Sequence, residues 1–198
     1  MEQNIPLSAV NQVLGAIGQA PVQVLEFRNP EISYIYRILQ ETTLEVQLEG
    51  WSFNTEHNYR LTPDTEGTIQ YPFNVLQMDV SDGQVWRTTD VVRRQGLLYD
   101  KLHQSYVFNS PIELDFLWEI EYTDIPPAAQ NYIINRSKAK AAQYLVGDSN
   151  LVQMMQKDEA LSRASLLEHE CNQGDYTMFG TPRGTAYRSY QPYQALNR

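Results

Sequence analysis

The sequence predicts an α+β protein: a helical bundle built from the N- and C-terminal helix pairs, an inserted and mainly antiparallel β region, and an extended C-terminal tail. Three observations carry this reading. Apolar residues recur at three- and four-residue spacing in 1–50 and again in 125–174. Residues 51–124 instead alternate apolar with polar, the period of a strand. From 175 to 198 the chain holds Gly180, Pro182, Gly184 and Pro192 among spaced tyrosines, a pattern that denies it a long helix.

In the first helix, within "PLSAVNQVLGAIGQAP", Ser8 is the expected cap, and Val10, Val13, Leu14 and Ile17 share a face. Gly18 and Pro21 stop it. The second opens with Asn29 as N-cap, Pro30 at the first helical position and Glu31 near the positive end of the dipole. Ile32, Ile35, Tyr36, Leu39, Thr43 and Val46 form its stripe, and Gly50 ends it.

The period changes at Trp51. Trp51, Phe53, Thr55, His57, Tyr59 and Leu61 alternate with polar residues and predict a strand. "NVLQMDV", "QVWRT" and "VVRRQGLLYD" are further strand candidates, with "SDGQ" as a hairpin turn between the first two. The clearest strand is "PIELDFLWEIEYTD". Ile112, Leu114, Phe116, Trp118, Ile120 and Tyr122 point one way; Glu113, Asp115, Glu119 and Glu121 point the other, interrupted by Leu117.

Helical spacing returns after Pro126-Pro127, with Ala129, Tyr132, Ile133, Ala139, Ala142 and Leu145 inward and Arg136 at the edge. The last helix starts at Ser149 or Asn150, packs Leu151, Met154, Met155, Leu161, Ala164 and Leu167, and ends at Gly174. The tight turn between these two helices makes them antiparallel neighbours.

Composition narrows the function. The 198 residues carry a net charge of −9, which argues against a nucleic-acid binder of the basic-patch type. The charge is uneven: six acids face two bases in 1–50, twelve face five in 51–124, and six face eight in 125–198. No run is long and apolar enough to predict a membrane span. The N-terminus lacks the basic residue of a secretory signal, and one cysteine allows no internal disulfide, so assembly in a cytoplasm is expected.

No catalytic signature is present. His57, His103 and His169 show no metal-ligand spacing, and adjacent His169, Glu170 and Cys171 point to different sides of a helix. Neither a metal nor a cofactor is expected. Cys171 reads as a small packing residue rather than a nucleophile, because a helix C-terminus raises a thiol pKa. Glu113, Asp115, Glu119 and Glu121 have the 6–7 Å spacing of some paired-acid sites, but any alternating strand gives about that spacing. They read as a solvated face.

The segments "LSAVNQVLGAIGQAPV", "RILQETTLEVQLEGWSFNTEHNYRLTPD" and "IPPAAQNYIINRSKAKAAQYLVGD" resemble the tail tubular protein A family of short-tailed bacteriophages. The order of elements resembles it over the whole chain, most firmly at the two helical ends. The resemblance implies a virion protein without enzymatic activity, a subunit of a twelve-membered adaptor or gatekeeper ring under the portal. Its implied partners are further copies of itself, the portal, the tail nozzle (tail tubular protein B) and the tail fibre, with genomic DNA passing through the central hole. In such a ring Glu113, Asp115, Glu119 and Glu121 are candidates for the channel wall, since a basic wall would retain phosphates.

The acid-free stretch after Asp175 then reads as a partner-binding arm, mobile on the free subunit and ordered against a neighbouring chain, most plausibly the portal. Tyr176, Phe179, Tyr187, Tyr190 and Tyr193 supply aromatic anchors, and Arg183 and Arg188 supply positive charge. Two alternatives stay open from residues alone: a small hydrolase with an acidic site in the β region, and a monomeric protein-binding module.

Overall fold

The computed structural model describes residues 4–81 and 89–174. It is a mixed α+β protein. The chain runs through helix α1 (Leu7–Ala16), helix α2 (Pro30–Leu48), strands β1 (Thr55–Leu61), β2 (Val75–Val80), β3 (Val91–Arg94), β4 (Leu97–Asp100) and β5 (Ile112–Trp118), then helices α3 (Pro127–Ala141) and α4 (Ser149–Gly174). A 3-10 turn, Tyr122–Asp124, precedes α3, and one π-helical turn, Ala142–Val146, follows it.

Helices from both ends of the chain share a core. Val10, Val13 and Leu14 of α1 meet Ile32, Ile35, Leu39 and Val46 of α2, and Ala129, Tyr132 and Ile133 of α3. The start of α2 follows its sequence: Asn29 accepts a hydrogen bond from the Glu31 N–H at 3.0 Å, with Pro30 at the first position. Helix α1 differs. Pro6, not Ser8, occupies its N-cap without a side-chain bond, because the Pro6 carbonyl already accepts the Ala9 N–H at 3.0 Å. Leu166 is the one α4 residue in this core among those described. Helix α4 lies antiparallel along α3, after a turn closed by Gly147 at φ 74°.

A second core lies in the β region. β5 is the central strand of a three-stranded antiparallel sheet ordered β1-β5-β2, and β3 pairs with β4 in a separate hairpin. Ile112, Leu114 and Phe116 of β5 pack with Ile69, Val75, Val80, Val91, Leu98 and Phe108.

Several sequence expectations are corrected here. Trp51 and Phe53 are not in a strand. Trp51 turns back into the helical core, where its Nε1 donates to the Val46 carbonyl at 2.8 Å. β1 starts only at Thr55, and a register shift between Glu56 and Tyr59, with Asn58 at φ 57°, breaks its alternation. "VVRRQGLLYD" is two strands, since Gln95 and Gly96 both have positive φ and form a tight hairpin turn. β5 ends at Trp118, and Tyr122 is buried in the helical core rather than beneath the sheet. The candidate strand "QVWRT" lies outside the described residues.

The two cores are joined where the chain leaves α2 and where it returns from β5. Gln47, fully buried, receives the Ile120 N–H at 2.7 Å and donates to the Ile120 carbonyl at 3.0 Å. Asn54 is buried between the two passages. Its amide donates to the Gln47 carbonyl at 2.9 Å and the Trp118 carbonyl at 3.1 Å, and its oxygen accepts the Trp51 N–H at 2.9 Å. Removing a buried group of this kind costs about 1–3 kcal/mol, since its partners lose their hydrogen bonds without regaining water. Asn54→Ala is therefore expected to lower unfolding free energy by about that amount in urea titrations. A loss within experimental error would show that this side chain does not hold the junction.

Candidate functional site

Of the four acids in the proposed row, β5 carries only Glu113 and Asp115. Glu119 and Glu121 lie beyond its end, Leu117 between Asp115 and Glu119 is buried, and the four do not form one strand face. Glu113 and Glu121 are exposed, while Asp115 and Glu119 are half-buried. Asp115 is engaged within the sheet. It accepts from the Asn58 N–H at 2.9 Å, contacts His57 Nδ1 at 3.0 Å and receives the Ser81 hydroxyl. Burial pushes the Asp115 carboxyl pKa up, but the bonds from Ser81, Asn58 and His57 outweigh it and hold the group below the usual carboxylate range.

Ser81, Asp115 and His57 are thus brought together, but not in the order that activates a serine. In a nucleophilic triad the imidazole stands between hydroxyl and carboxylate and takes the hydroxyl proton. Here the carboxylate stands in the middle and the serine donates to it. The cluster ties β1 and β2 to β5. Asp100 plays a comparable part in the β4 turn, accepting from the Leu102 N–H at 2.8 Å and meeting His103 Nδ1 at 2.6 Å. Burial raises its pKa, and the bonds from His103 and the turn backbone more than reverse that. Among the described residues no three His, Cys, Asp or Glu side chains gather as metal ligands, and no helix is long and apolar enough to cross a membrane.

A larger polar cluster, not foreseen from sequence, ties α2, α3 and α4 together. Glu49 accepts from Arg136 Nη1 and Arg163 Nη1, each at 2.8 Å, and the Tyr132 hydroxyl meets both guanidinium groups at 2.9 Å. Glu45 joins Arg136 at 3.2 Å and Lys140 at 2.7 Å. Nearer the end of α4, Glu170 accepts the Ser52 N–H at 2.6 Å. The charged members lie beside the apolar stripes of their helices rather than on them, and only the Tyr132 ring belongs to a stripe. The sequence places Tyr132 on the inward side of α3 and Arg136 at its edge, but not their partners Glu45, Glu49 and Arg163.

The packed face of α4 matches the expected one only in part: Leu151 and Met155 are half-buried, and the other four expected residues are exposed. Leu166 and Ser162 are buried, and Val152 and Met155 are half-buried. Met154, Leu161 and Leu167 are 60%, 70% and 45% exposed, with exposed Ala164 between them. Leu145, expected inward, is 41% exposed in the π-helical turn. It lines an open hollow with Pro30, Glu31, Tyr34 and Tyr144. Cys171, expected to pack, is exposed. The arm residues Tyr176, Phe179, Arg183, Tyr187, Arg188, Tyr190 and Tyr193 lie outside the described residues.

The geometry shows polar clusters that serve the protein's own framework and helices that leave apolar side chains exposed. The tail tubular protein family matches residues 7–176, and the chain belongs to that family. It is accordingly a structural protein of a phage tail. It is also similar to tail tubular protein A of Klebsiella phage KP34, with 30% identity over 169 residues that cover 84% of this chain and 88% of that protein.

The bound state of Asp115 sets a pH dependence. Its folded pKa lies below the unfolded value of about 3.9, so its contribution is present above that value and is lost as pH falls through the folded pKa. Asp100 acts with the same sign. Asp115→Asn is expected to flatten the fall of the urea midpoint below about pH 5. An unchanged acid slope would show that this carboxylate contributes nothing to stability.

Proposed function

We propose that this protein forms a closed ring of twelve copies, the tail adaptor, which joins the portal to the tail nozzle and surrounds the path of DNA exit. The observation that carries the reading is the similarity to a tail tubular protein A over 84% of the chain, within a family matched from residue 7 to 176. Physical features support it. Exposed Met154 and Leu161 on one helix, and Leu44 and Leu48 on another, give a subunit apolar surface to bury against neighbours. The excess of acids in 51–124 suits a wall along which DNA must slide, because it repels phosphates. Exposed Glu113 and Glu121 are the members of the acid row best suited to such a wall, whereas Asp115 is held in the sheet.

In this reading residues 175–198 are the arm that reaches the portal, with Tyr176, Phe179, Tyr187, Tyr190 and Tyr193 as anchors and Arg183 and Arg188 as charged contacts. The nozzle and the tail fibre meet the ring elsewhere. The work is mechanical and electrostatic and needs no cofactor.

Negative-stain images of head–tail complexes carrying a tagged copy are expected to place the protein in a closed ring beneath the portal. Its presence only in the capsid shell or the fibres would overturn the reading. Truncation after Gly174 is expected to leave a folded protein with a near-unchanged helical spectrum that no longer joins heads. Infectious particles built from the truncated protein would remove the arm from the proposal.

A further inference from the structure

Helix α4 is apolar on two opposite sides. One side packs along α3; the other, with Met154, Leu161, Ala164 and Leu167, is exposed. Helix α2 has a similar outward stripe. Tyr34, Leu44 and Leu48 are 40%, 37% and 47% exposed, and Arg37 and Glu41 lie between them. The α2 positions 34, 37, 41, 44 and 48 alternate steps of three and four, as do α4 positions 154, 157, 161, 164 and 168. Each row has the heptad spacing of a helix-pairing seam, with charged residues at two of its five positions.

Resting on the ring reading above, we propose that the outward face of α4 in one copy packs on the outward stripe of α2 in the next, as a parallel helix pair. Symmetry selects two different faces. A ring of more than two copies is built from head-to-tail contacts, in which a patch meets a different patch rather than itself. Symmetry also selects the direction. Within one copy Arg136 and Lys140 reach Glu49 and Glu45, so α2 runs antiparallel to α3, as α4 does. Helices α2 and α4 therefore run the same way, and the Arg163–Glu49 and Glu170–Ser52 contacts join their C-terminal parts. One-twelfth of a turn about a ring axis changes a helix direction too little to reverse it, so α4 and the neighbour's α2 meet in parallel.

Charge selects the register. Setting Tyr34 opposite Met154 puts Arg37 against Lys157, two like charges in one seam. Sliding one way by a heptad puts Glu41 against Glu168. Sliding the other way sets Leu48 opposite Leu161 and Leu44 opposite Lys157. Lys157 then lies within a turn of Glu41 and Glu45, and Arg37 comes beside Asn150 and Asp148 at the start of the neighbour's α4. Of the three registers, this one alone covers the most exposed leucine with a leucine and sets no like charges opposite each other at the seam positions.

Full-length single-cysteine proteins test it, made in a Cys171→Ser background with Leu48→Cys in one and Leu161→Cys in the other. Both sites are exposed, so folding is expected to survive and is checked by the helical spectrum. Co-assembled rings or particles are expected to give disulfide-linked pairs in high yield on mild oxidation, and at least tenfold less from either variant alone. Tyr34→Cys combined with Leu161→Cys is expected to give none, because Tyr34 lies about 21 Å along α2 from Leu48. Lys157→Glu and Glu41→Lys are each expected to cut ring yield several-fold, and together to restore it. Rings without the Leu48–Leu161 link, or charge variants that do not rescue each other, overturn this interface and leave the ring intact as a reading. Absence of any ring in unaltered particles overturns both.

Discussion

The fold depends on two buried amides. Gln47 and Asn54 stand where the chain leaves α2 for the β region and where it comes back, and between them they bond Ile120, Trp118, Trp51 and the Gln47 carbonyl. An insertion between helices has two crossings to secure, and each exposes backbone groups that neither a helix nor a sheet can satisfy. Side-chain amides suit the task because each carries both donors and an acceptor. Trp51 completes the junction from the apolar side by turning into the helical core. With both crossings pinned, α3 can return to pack between α1 and α2.

Helix α4 is held differently. Its bond to the body rests on the cluster of Glu49, Tyr132, Arg136 and Arg163, reinforced at the far end by Glu170 and Ser52, with few large apolar residues beneath it. Glu49 alone meets two guanidinium groups, so the helix is fixed in position by geometry more than by buried area. Such an attachment is directional, and it sets which face of α4 looks outward. A continuous apolar seam against α3 would have consumed Leu161 and Met154; the polar attachment leaves them at the surface.

The sequence made the helices legible because their start signals are local. Asn29-Pro30-Glu31 fixes the start of α2, and its stripe buries Ile32, Ile35, Leu39 and Val46. The core face of β5 was legible for the same reason, since Ile112, Leu114 and Phe116 alternate without a break. Reading failed where a long-range partner decided the outcome. The alternation past Trp118 continues through Tyr122, but the Gln47 amide captures Ile120 and the helical core takes Tyr122. In α4 two apolar stripes compete, and the choice between them lies with Glu49, more than a hundred residues earlier. The regular acid face is interrupted at Asp115, where Asn58, with positive φ, turns its N–H toward the carboxylate.

These outcomes bear on where function lies. A Ser–Asp–His cluster in an acidic β region is the sort of arrangement from which a hydrolase reading would grow, yet its connectivity commits the carboxylate to the Asn58 N–H, the Ser81 hydroxyl and a contact with the His57 ring. A base so held has little left to activate a nucleophile. The helices show the reverse: Leu44, Leu48, Met154, Leu161 and Leu167 leave apolar area in water at about 25 cal/mol per Å². Such a distribution of reactive and aliphatic groups suits the assembly role proposed above. The membership of the tail tubular protein family and the physical distribution of its side chains therefore point the same way.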